Sequence, residues 1–225
     1  RIILSLPTME AVTDVLGKSC ERPREYTAFV DTTTGTPARV EELGRRLAER
    51  NVAYLDATIC GSSAQVARGE VVVLAGGVWE TFHECEDLFA TFARRWFHIG
   101  GWGAGTRMKL VTNLVLGLQR AALAEGLGLA RGMGLDGDLV LQVLADGPAY
   151  SKVVDTKGRK MVRRDYAPQA RLSEHLEEVA VILSEGGQDG IPLPFSRLHR
   201  EILQELEARG LGDLDSSAIA EAFRA

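Results

Sequence analysis

The chain has 225 residues, of which 45% are hydrophobic and 25% charged, and its net charge is -5. This composition is typical of a globular protein with room for two modest domains, and it argues against a nucleic-acid-binding protein, which needs a clustered basic surplus. The three cysteines lack C-x-x-C spacing and form neither a disulfide framework nor a zinc site, so a reducing cytoplasm is the expected compartment and no metal is expected.

The first hundred residues alternate between short apolar runs and helical patterns. Strands are predicted at 2–6, 27–31, 53–57, 71–77 and 95–100, and helices at 9–16, 38–50 and 79–94. This alternation predicts a mostly parallel sheet with helices on its faces, in which ligands bind beyond the carboxyl ends of the strands. The chain opens within an apolar run and shows no signal peptide, so we expect that the natural N-terminus lies elsewhere.

Beyond residue 103 the sequence pattern becomes entirely helical. Helices are predicted at 105–131, 136–146, 150–162, 169–186, 192–209 and 216–224. The first of these is apolar on several sides, which is typical of a central buried helix, and its interior charges such as Arg120 and Glu125 argue against a membrane span. The sequence therefore predicts an α/β part and an all-α part, with one long helix at their junction.

The first turn of that long helix carries Lys109, with Asn113 four residues further on. Side chains at this spacing share one face of a helix. A lysine placed among apolar residues needs an anionic or polar partner, so a binding or catalytic role is one interpretation. The other is that Lys109 reaches solvent and Asn113 has no special role.

Two loops invite comparison with known ligand sites. The sequence GGWGAG at 100–105 follows a predicted strand, but its spacing is not the G-x-G-x-x-G of a dinucleotide-binding turn, so a tight turn is the preferred interpretation. The loop that contains Cys60, Gly61 and Ser62 offers backbone amides and small side chains that permit close approach to a carboxylate. No histidine lies near Cys60 in the sequence, which argues against a cysteine hydrolase.

Taken in order, several segments resemble one family. They are FVDTTTGTP, YLDATICGSS, ARGEVVVLAGG, GAGTRMKLVTN, GIPLP and GLGDLDSSAI. This ordered set is similar to the β-hydroxyacid dehydrogenases, the group of 3-hydroxyisobutyrate dehydrogenase and 2-hydroxy-3-oxopropionate reductase, over essentially the whole chain. The resemblance implies a Rossmann-type NAD(P)-binding domain over 1–103, incomplete at its N-terminus, and an interdomain helix with an all-α substrate and dimerisation domain over 104–225.

The resemblance also implies roles for individual residues. Lys109 matches the catalytic lysine of the family and Asn113 its substrate-site asparagine. The substrate loop of the family falls on Cys60, Gly61 and Ser62, with the cysteine in place of a serine that helps to hold the carboxylate.

The cofactor-contacting turns of the family, with NAD or NADP as the cofactor, fall on Leu6-Pro7 and Thr33-Thr34. The implied function is interconversion of a small β-hydroxy acid and its semialdehyde or keto form, with a lysine as proton donor. A small carboxylate substrate and a homodimer or homotetramer are implied as well, without a membrane or a nucleic acid as partner.

Two departures from the family pattern leave alternatives open. Relatives carry a lysine near the cofactor where this chain has Glu177, and the glycine fingerprint of the dinucleotide fold has no counterpart here. Either the sequence is an incomplete record of a normal enzyme, or the protein is a catalytically silent relative that serves as an oligomeric interaction module. Imine reduction on a related fold is a third alternative, although the presence of Lys109 favours the hydroxyacid reaction.

Overall fold

A computed structural model describes residues 1–19 and 28–224, so that Cys20 and the first residue of the strand predicted at 27–31 lie outside the described part. The chain divides into two compact units, Arg1–Thr112 and Asn113–Ala225. The division falls inside the longest helix.

The first unit is built on one five-stranded sheet in the order β1-β2-β3-β4-β5. The strands are β1 (Ile2–Leu4), β2 (Ala28–Asp31), β3 (Ala53–Cys60), β4 (Val71–Gly77) and β5 (Ala93–Gly100). The pairs β1–β2, β2–β3 and β4–β5 are parallel, whereas β3 and β4 are antiparallel. The carboxyl ends of β1, β2 and β3 therefore meet at one edge, and β4 and β5 run toward the opposite edge.

Helices pack on both faces of this sheet because its strands alternate their apolar side chains. In β2, Phe29 belongs to the core with α1 (Met9–Ser19) and α2 (Pro37–Ala48), while Val30 faces the other core. The second core includes Phe82 and Phe89 from the short helices α4 (Trp79–His83) and α5 (Glu86–Phe89). The α/β Rossmann-type arrangement predicted from the sequence is confirmed in the described residues.

The remaining helices of the first unit are short: α3 (Ser63–Ala67), α4 (Trp79–His83) and α5 (Glu86–Phe89). The single helix predicted at 79–94 is therefore wrong, since the chain turns between α4 and α5 and enters β5 at Ala93. The loop predicted after residue 57 is also wrong in part: β3 continues to Cys60 along β4, and a capping box at Ser62 and Gln65 starts α3.

The second unit is all-α, as predicted. It continues α6 (Ala104–Gly132) and adds α7 (Gly137–Asp146), α8 (Arg159–Arg163), α9 (Leu172–Gln188) and α10 (Pro194–Leu206). Two predicted helices differ in type: residues within 150–162 include a π-helical turn, Val154–Gly158, and the C-terminal segment Ser216–Phe223 is a 3-10 helix. Another π-helical turn, Glu207–Leu211, ends the helix predicted at 192–209.

One apolar core holds the second unit together, with Leu127, Met161, Leu172, Leu203 and Ile219 among its buried members. The segment GLGDLDSSAI anchors the C-terminal 3-10 helix through Asp215. Both oxygens of that carboxylate accept hydrogen bonds from Lys157 Nζ at 2.8 Å, and its N-cap contact with Ser217 N is 3.0 Å. The segment GLGDLDSSAI thus stabilises the fold of the second unit.

Among the described residues, no helix combines the length and apolar character needed to cross a membrane.

Candidate active site

The start of α6 runs beside β3, and four residues of the strand mark its path. Asp56 contacts the turn before the helix, and Thr58 Oγ1 donates to Gly105 O at 3.2 Å. Nearer the end of the strand, Ile59 contacts Lys109 and Cys60 contacts Thr112. The helix therefore carries its side chains toward the edge at which β1, β2 and β3 end. This is the edge where ligands bind in α/β sheets.

A buried carboxylate fixes the beginning of this helix. Asp56 accepts hydrogen bonds from Gly103 N at 3.2 Å, from Thr106 N at 2.9 Å and from Thr106 Oγ1 at 3.2 Å. Burial raises the pKa of Asp56 to about 6, against the opposing effect of these hydrogen bonds. A carboxylate at a helix N-terminus satisfies amides that have no partner within the helix.

The backbone of the helix approaches the sheet closely because residue 105 is glycine. A Cβ at Gly105 would lie 2.5 Å from Leu74 O and 2.9 Å from Asp56 O, which no side chain tolerates. The close approach brings the next turn of α6 within reach of the end of β3.

Lys109 lies on that next turn and is half-buried. Its Nζ donates a hydrogen bond to Ile59 O at 2.7 Å. This contact holds the ammonium beside the last residues of β3, immediately before the predicted substrate loop. An ammonium carries three donors, so two remain available for a ligand.

Cys60 ends β3 next to this lysine. Its Sγ lies 3.5 Å from Thr112 Oγ1, and that hydroxyl donates to Lys109 O at 2.8 Å. Gly61 and Ser62 follow in an exposed turn, and Ser62 Oγ is engaged in the capping box of α3 through Gln65. The structure thus brings Lys109 and Cys60 together, while the Ser62 hydroxyl already has a structural partner.

The two turns predicted to contact the cofactor follow β1 and β2 at the same edge. Leu6 N donates to Thr33 Oγ1 at 3.0 Å, and Thr33 N donates to Asp31 Oδ1 at 2.9 Å. Thr33 is buried and holds the turns together, whereas Pro7 and Thr34 are exposed.

Two linked turns at the carboxyl ends of adjacent parallel strands suit the binding of a dinucleotide. No G-x-G-x-x-G turn joins a strand to a helix within residues 1–19 and 28–224. The turn after β5, which contains GGWGAG, contacts Asp56, and Asp56 pairs with Asp31, the last residue of β2.

The remaining predicted site residues belong to the second unit. Asn113 is buried and lies on α6 one turn beyond Lys109. Glu177 is exposed on α9.

Sequence reasoning missed Asp56 and Thr112 as residues that position the site. Asp56 stood in the motif YLDATICGSS, but its partners lie about fifty positions away in the chain, and nothing local connects them. Thr112 could have been noticed, since it lies three residues after Lys109 on the same helix.

Two family profiles cover almost the entire chain. Residues 103–223 match the profile described as NAD-binding of NADP-dependent 3-hydroxyisobutyrate dehydrogenase. Residues 1–100 match the NAD binding domain of 6-phosphogluconate dehydrogenase.

Curated relatives agree with these profiles. L-threonate dehydrogenase of Cupriavidus necator is 28% identical over 195 residues, which are 86% of this chain and 66% of that protein. Glyoxylate/succinic semialdehyde reductase 1 of Arabidopsis thaliana is 27% identical over 92% of this chain and 72% of its own length. Cytokine-like nuclear factor N-PAC of Aedes aegypti is 31% identical over 85% of this chain but 34% of its own length. The chain thus spans about two thirds of the first relative and about a third of N-PAC.

Solved structures share the fold. The crystal structure of 3-hydroxyisobutyrate dehydrogenase from Salmonella typhimurium matches with a TM-score of 0.88 and 23% identity, and covers 97% of this chain and 78% of that one. At this identity the likeness concerns the fold. Because the profile at 103–223 alone covers more than half of the chain, the protein belongs to the β-hydroxyacid dehydrogenase family, the group of 3-hydroxyisobutyrate dehydrogenase.

Proposed function

We propose that this chain belongs to an NAD(P)-dependent dehydrogenase that interconverts a small β-hydroxy acid and its semialdehyde or keto form. One observation carries the proposal: Lys109 Nζ is held 2.7 Å from Ile59 O, beside the end of β3 and the loop that follows it. Family membership and the relatives named as hydroxyacid dehydrogenases support the same reaction.

In this reaction Lys109 acts on the oxygen of the substrate. Its ammonium donates a proton, or a hydrogen bond, to the carbonyl oxygen as that oxygen gains charge, and takes the proton back in the direction of oxidation. The ammonium uses one N–H group for Ile59 O, and its other N–H groups can donate to the substrate. A bound NAD(P) supplies or accepts the hydride.

The substrate carboxylate is assigned to the turn at Cys60, Gly61 and Ser62. The backbone amide of Gly61 is the donor expected to bind an anion here, because Gln65 already accepts from both the amide and the hydroxyl of Ser62. Asn113 orients the substrate or Lys109. Leu6, Pro7, Thr33 and Thr34 contact the cofactor, with Thr33 acting through the turn that it holds together, and Glu177 lies near the cofactor as the resemblance implies.

Replacing the lysine tests the proposal. In the whole natural protein, Lys109→Ala should lower kcat by about a hundred- to ten-thousandfold, the usual contribution of a positioned proton donor. The assay follows NAD(P)H absorbance over a panel of hydroxy acids, including L-threonate and 3-hydroxyisobutyrate. Arg107→Ala is the matched control, since Arg107 lies on the same turn, is exposed, and pairs only with Glu41 among the described residues.

The control should retain activity, and circular dichroism should show that both variants are folded. Wild-type turnover in a folded Lys109→Ala variant would contradict the assignment. Turnover of cyclic imines that exceeds that of every hydroxy acid would favour the imine reductase alternative.

A second candidate is a catalytically silent relative that acts as an interaction module. The observation in its favour is the likeness to N-PAC, a protein named as a nuclear factor, together with Glu177 in place of a cation. Titration of the whole protein with NADPH and NADH, followed by nucleotide fluorescence, separates the candidates. Binding of neither nucleotide leaves only the interaction module.

We also propose that the protein forms a homodimer or homotetramer. The second unit exposes large apolar side chains that water solvates poorly, including Phe195 and Leu198 on α10 and Leu139 and Val143 on α7. Phe195 is 73% exposed. Light scattering behind size-exclusion chromatography measures the mass, and a monomer at micromolar concentration would contradict this proposal.

A further inference from the structure

A buried basic cluster lies in the second unit, apart from Lys109 and Cys60. Arg120 on α6, His175 on α9 and His199 on α10 are 7%, 4% and 3% exposed. The two imidazole rings lie with their centroids 5.1 Å apart. Three separate helices therefore direct nitrogen-bearing side chains into one region of the interior.

The two histidines of the cluster pack against α6 at Gly117, which has no side chain. A Cβ at Gly117 would lie 2.6 Å from His175 Nε2 and 3.0 Å from His199 Cε1. The two rings thus pack against the bare backbone of α6, one turn before Arg120 and one turn after Asn113. Asn113, Gly117 and Arg120 occupy one buried stripe of the helix.

Three nitrogens of this cluster have no hydrogen-bond partner among the described residues. Arg120 Nε, His175 Nε2 and His199 Nε2 are fully buried without a hydrogen-bond partner, and the Arg120 guanidinium bonds to no residue within 1–19 or 28–224. Glu178 accepts from His175 Nδ1 at 3.1 Å, and the carboxylates whose charges act on Arg120 are Glu178 and Asp215. A buried guanidinium without hydrogen bonds is costly, since its charge and its five N–H groups lose their hydration.

An acceptor from outside the described residues would satisfy Arg120, and it would satisfy His175 Nε2 when that ring is protonated. We propose that Arg120, His175 and His199 form a binding site for a small carboxylate ion. A carboxylate matches the fork of a guanidinium with two oxygens, and its single negative charge balances the one permanent charge of Arg120.

The protonation of the histidines accompanies this binding. Burial, and the neighbouring positive charge of Arg120, lower the pKa of His175 and of His199. The charged groups that act on the rings are Arg120 from α6 and Glu178 from α9, and Asp215 acts on Arg120 in turn. An anion bound at Arg120 offsets the positive charge that disfavours protonation of the two histidines. Binding should therefore take up protons and tighten as the pH falls from 7.5 to 5.5.

Histidine-selective NMR tests the site directly, because the chain has four histidines. Acetate is the probe, and chloride at equal ionic strength is the control. Acetate should shift the ring signals of His175 and His199 in a saturable way, raise their titration midpoints, and leave those of His83 and His98 unchanged. Assignment uses His175→Gln and His199→Gln.

Arg120→Met should weaken acetate binding at least about tenfold, because it removes the charge-assisted hydrogen bonds. The matched control is Arg197→Met, which removes an exposed arginine from α10 and should bind acetate as the wild type does. If Arg120→Met fails to fold, His199→Gln serves instead and should abolish proton uptake at that residue and weaken binding.

Absence of a saturable shift up to about 50 mM acetate overturns the site, and so do equal shifts in wild type and Arg120→Met. This measurement does not depend on the proposed reaction, since it needs no turnover. Kinetics then distinguishes two sources of the carboxylate: acetate that raises KM for the hydroxy acid indicates the substrate itself, and acetate that changes kcat alone indicates a separate ligand.

Discussion

His199 should make the second unit sensitive to mild acid, and replacing it should remove that sensitivity. Burial lowers the pKa of His199 from 6.5 to about 3, and the positive charges of His175 and Arg120 add to the effect. The folded state therefore binds fewer protons than the unfolded chain throughout the interval between these two values. Stability is fully present above pH 6.5 and falls as the pH decreases toward 3.

The size of the effect follows from the two pKa values. One pKa unit corresponds to about 1.4 kcal/mol, and at pH 5 the unfolded histidine is almost fully protonated while the folded one is not. The predicted loss of unfolding free energy between pH 7.5 and pH 5 is about 2 kcal/mol. Asp56 acts in the opposite direction, because its raised pKa makes the folded state bind an extra proton over the same interval.

A comparison of variants isolates His199 from Asp56, which is present in all of them. His199→Phe keeps a ring against His175, and any packing cost is the same at both pH values. Urea unfolding is followed by circular dichroism at 222 nm in chloride-containing buffers without carboxylates. Tryptophan fluorescence reports on the first unit, where Trp79, Trp96 and Trp102 all lie.

The variant should lose about 2 kcal/mol less than the wild type between the two pH values. His83→Phe, at an exposed position of α4, should keep the wild-type profile. Equal losses in His199→Phe and wild type, within about 0.5 kcal/mol, would refute the reasoning. Added acetate should reduce the acid loss in the wild type if the basic cluster binds it.

Three further predictions concern positioning and the cofactor. Gly117→Ala should destabilise the second unit by about 2 kcal/mol, because the new methyl group would displace His175; thermal unfolding measures it, and an unchanged Tm would contradict the packing. Asp56→Ala should cost about 1–3 kcal/mol and lower kcat more than it raises KM, since α6 loses its anchor and Lys109 its placement; a normal kcat in the folded variant would contradict this role. Glu177→Lys should tighten NADPH binding about threefold or more at low salt and less at high salt, measured by fluorescence titration; unchanged affinity would place Glu177 away from the nucleotide.

Patterns that repeat along the chain predicted the fold well. The long helix predicted at 105–131 is Ala104–Gly132, because its apolar residues surround the axis and glycines flank its start. The helix predicted at 79–94 failed because β5 begins at Ala93, opposite Val71 of β4. That pairing joins residues far apart in sequence, and the apolar residues between 79 and 94 suit either element.

The candidate site, like the fold, was predictable from the sequence only in part. Lys109 and Asn113 are recognisable from their spacing on one helix, whereas the residues that place them act across the fold. Asp56 holds Thr106 from fifty positions away, and Ile59 O holds Lys109. The direction of β4, antiparallel to β3, was also beyond the sequence.

Arg120 differs from Asp215 and Glu221, two buried carboxylates of the second unit that are well satisfied. Asp215 accepts hydrogen bonds from Lys157, Gln169 and Ser217, and these partners lower its pKa despite burial. Glu221 accepts from Arg164 and from the hydroxyl of Tyr166 at 2.6 Å.

Five buried polar atoms lack a partner in the described part of the chain, and three of them belong to the basic cluster: Arg120 Nε, His175 Nε2 and His199 Nε2. The buried carboxylates are paired, whereas these three nitrogens share one region and have no partner among the described residues, which supports the proposal of a ligand from outside the chain. The N–H groups of Arg120 can only donate, and His175 Nε2 donates when that ring is protonated, so the group missing at Arg120 is an acceptor. A carboxylate at Arg120 is the smallest group that supplies both the oxygens and the charge.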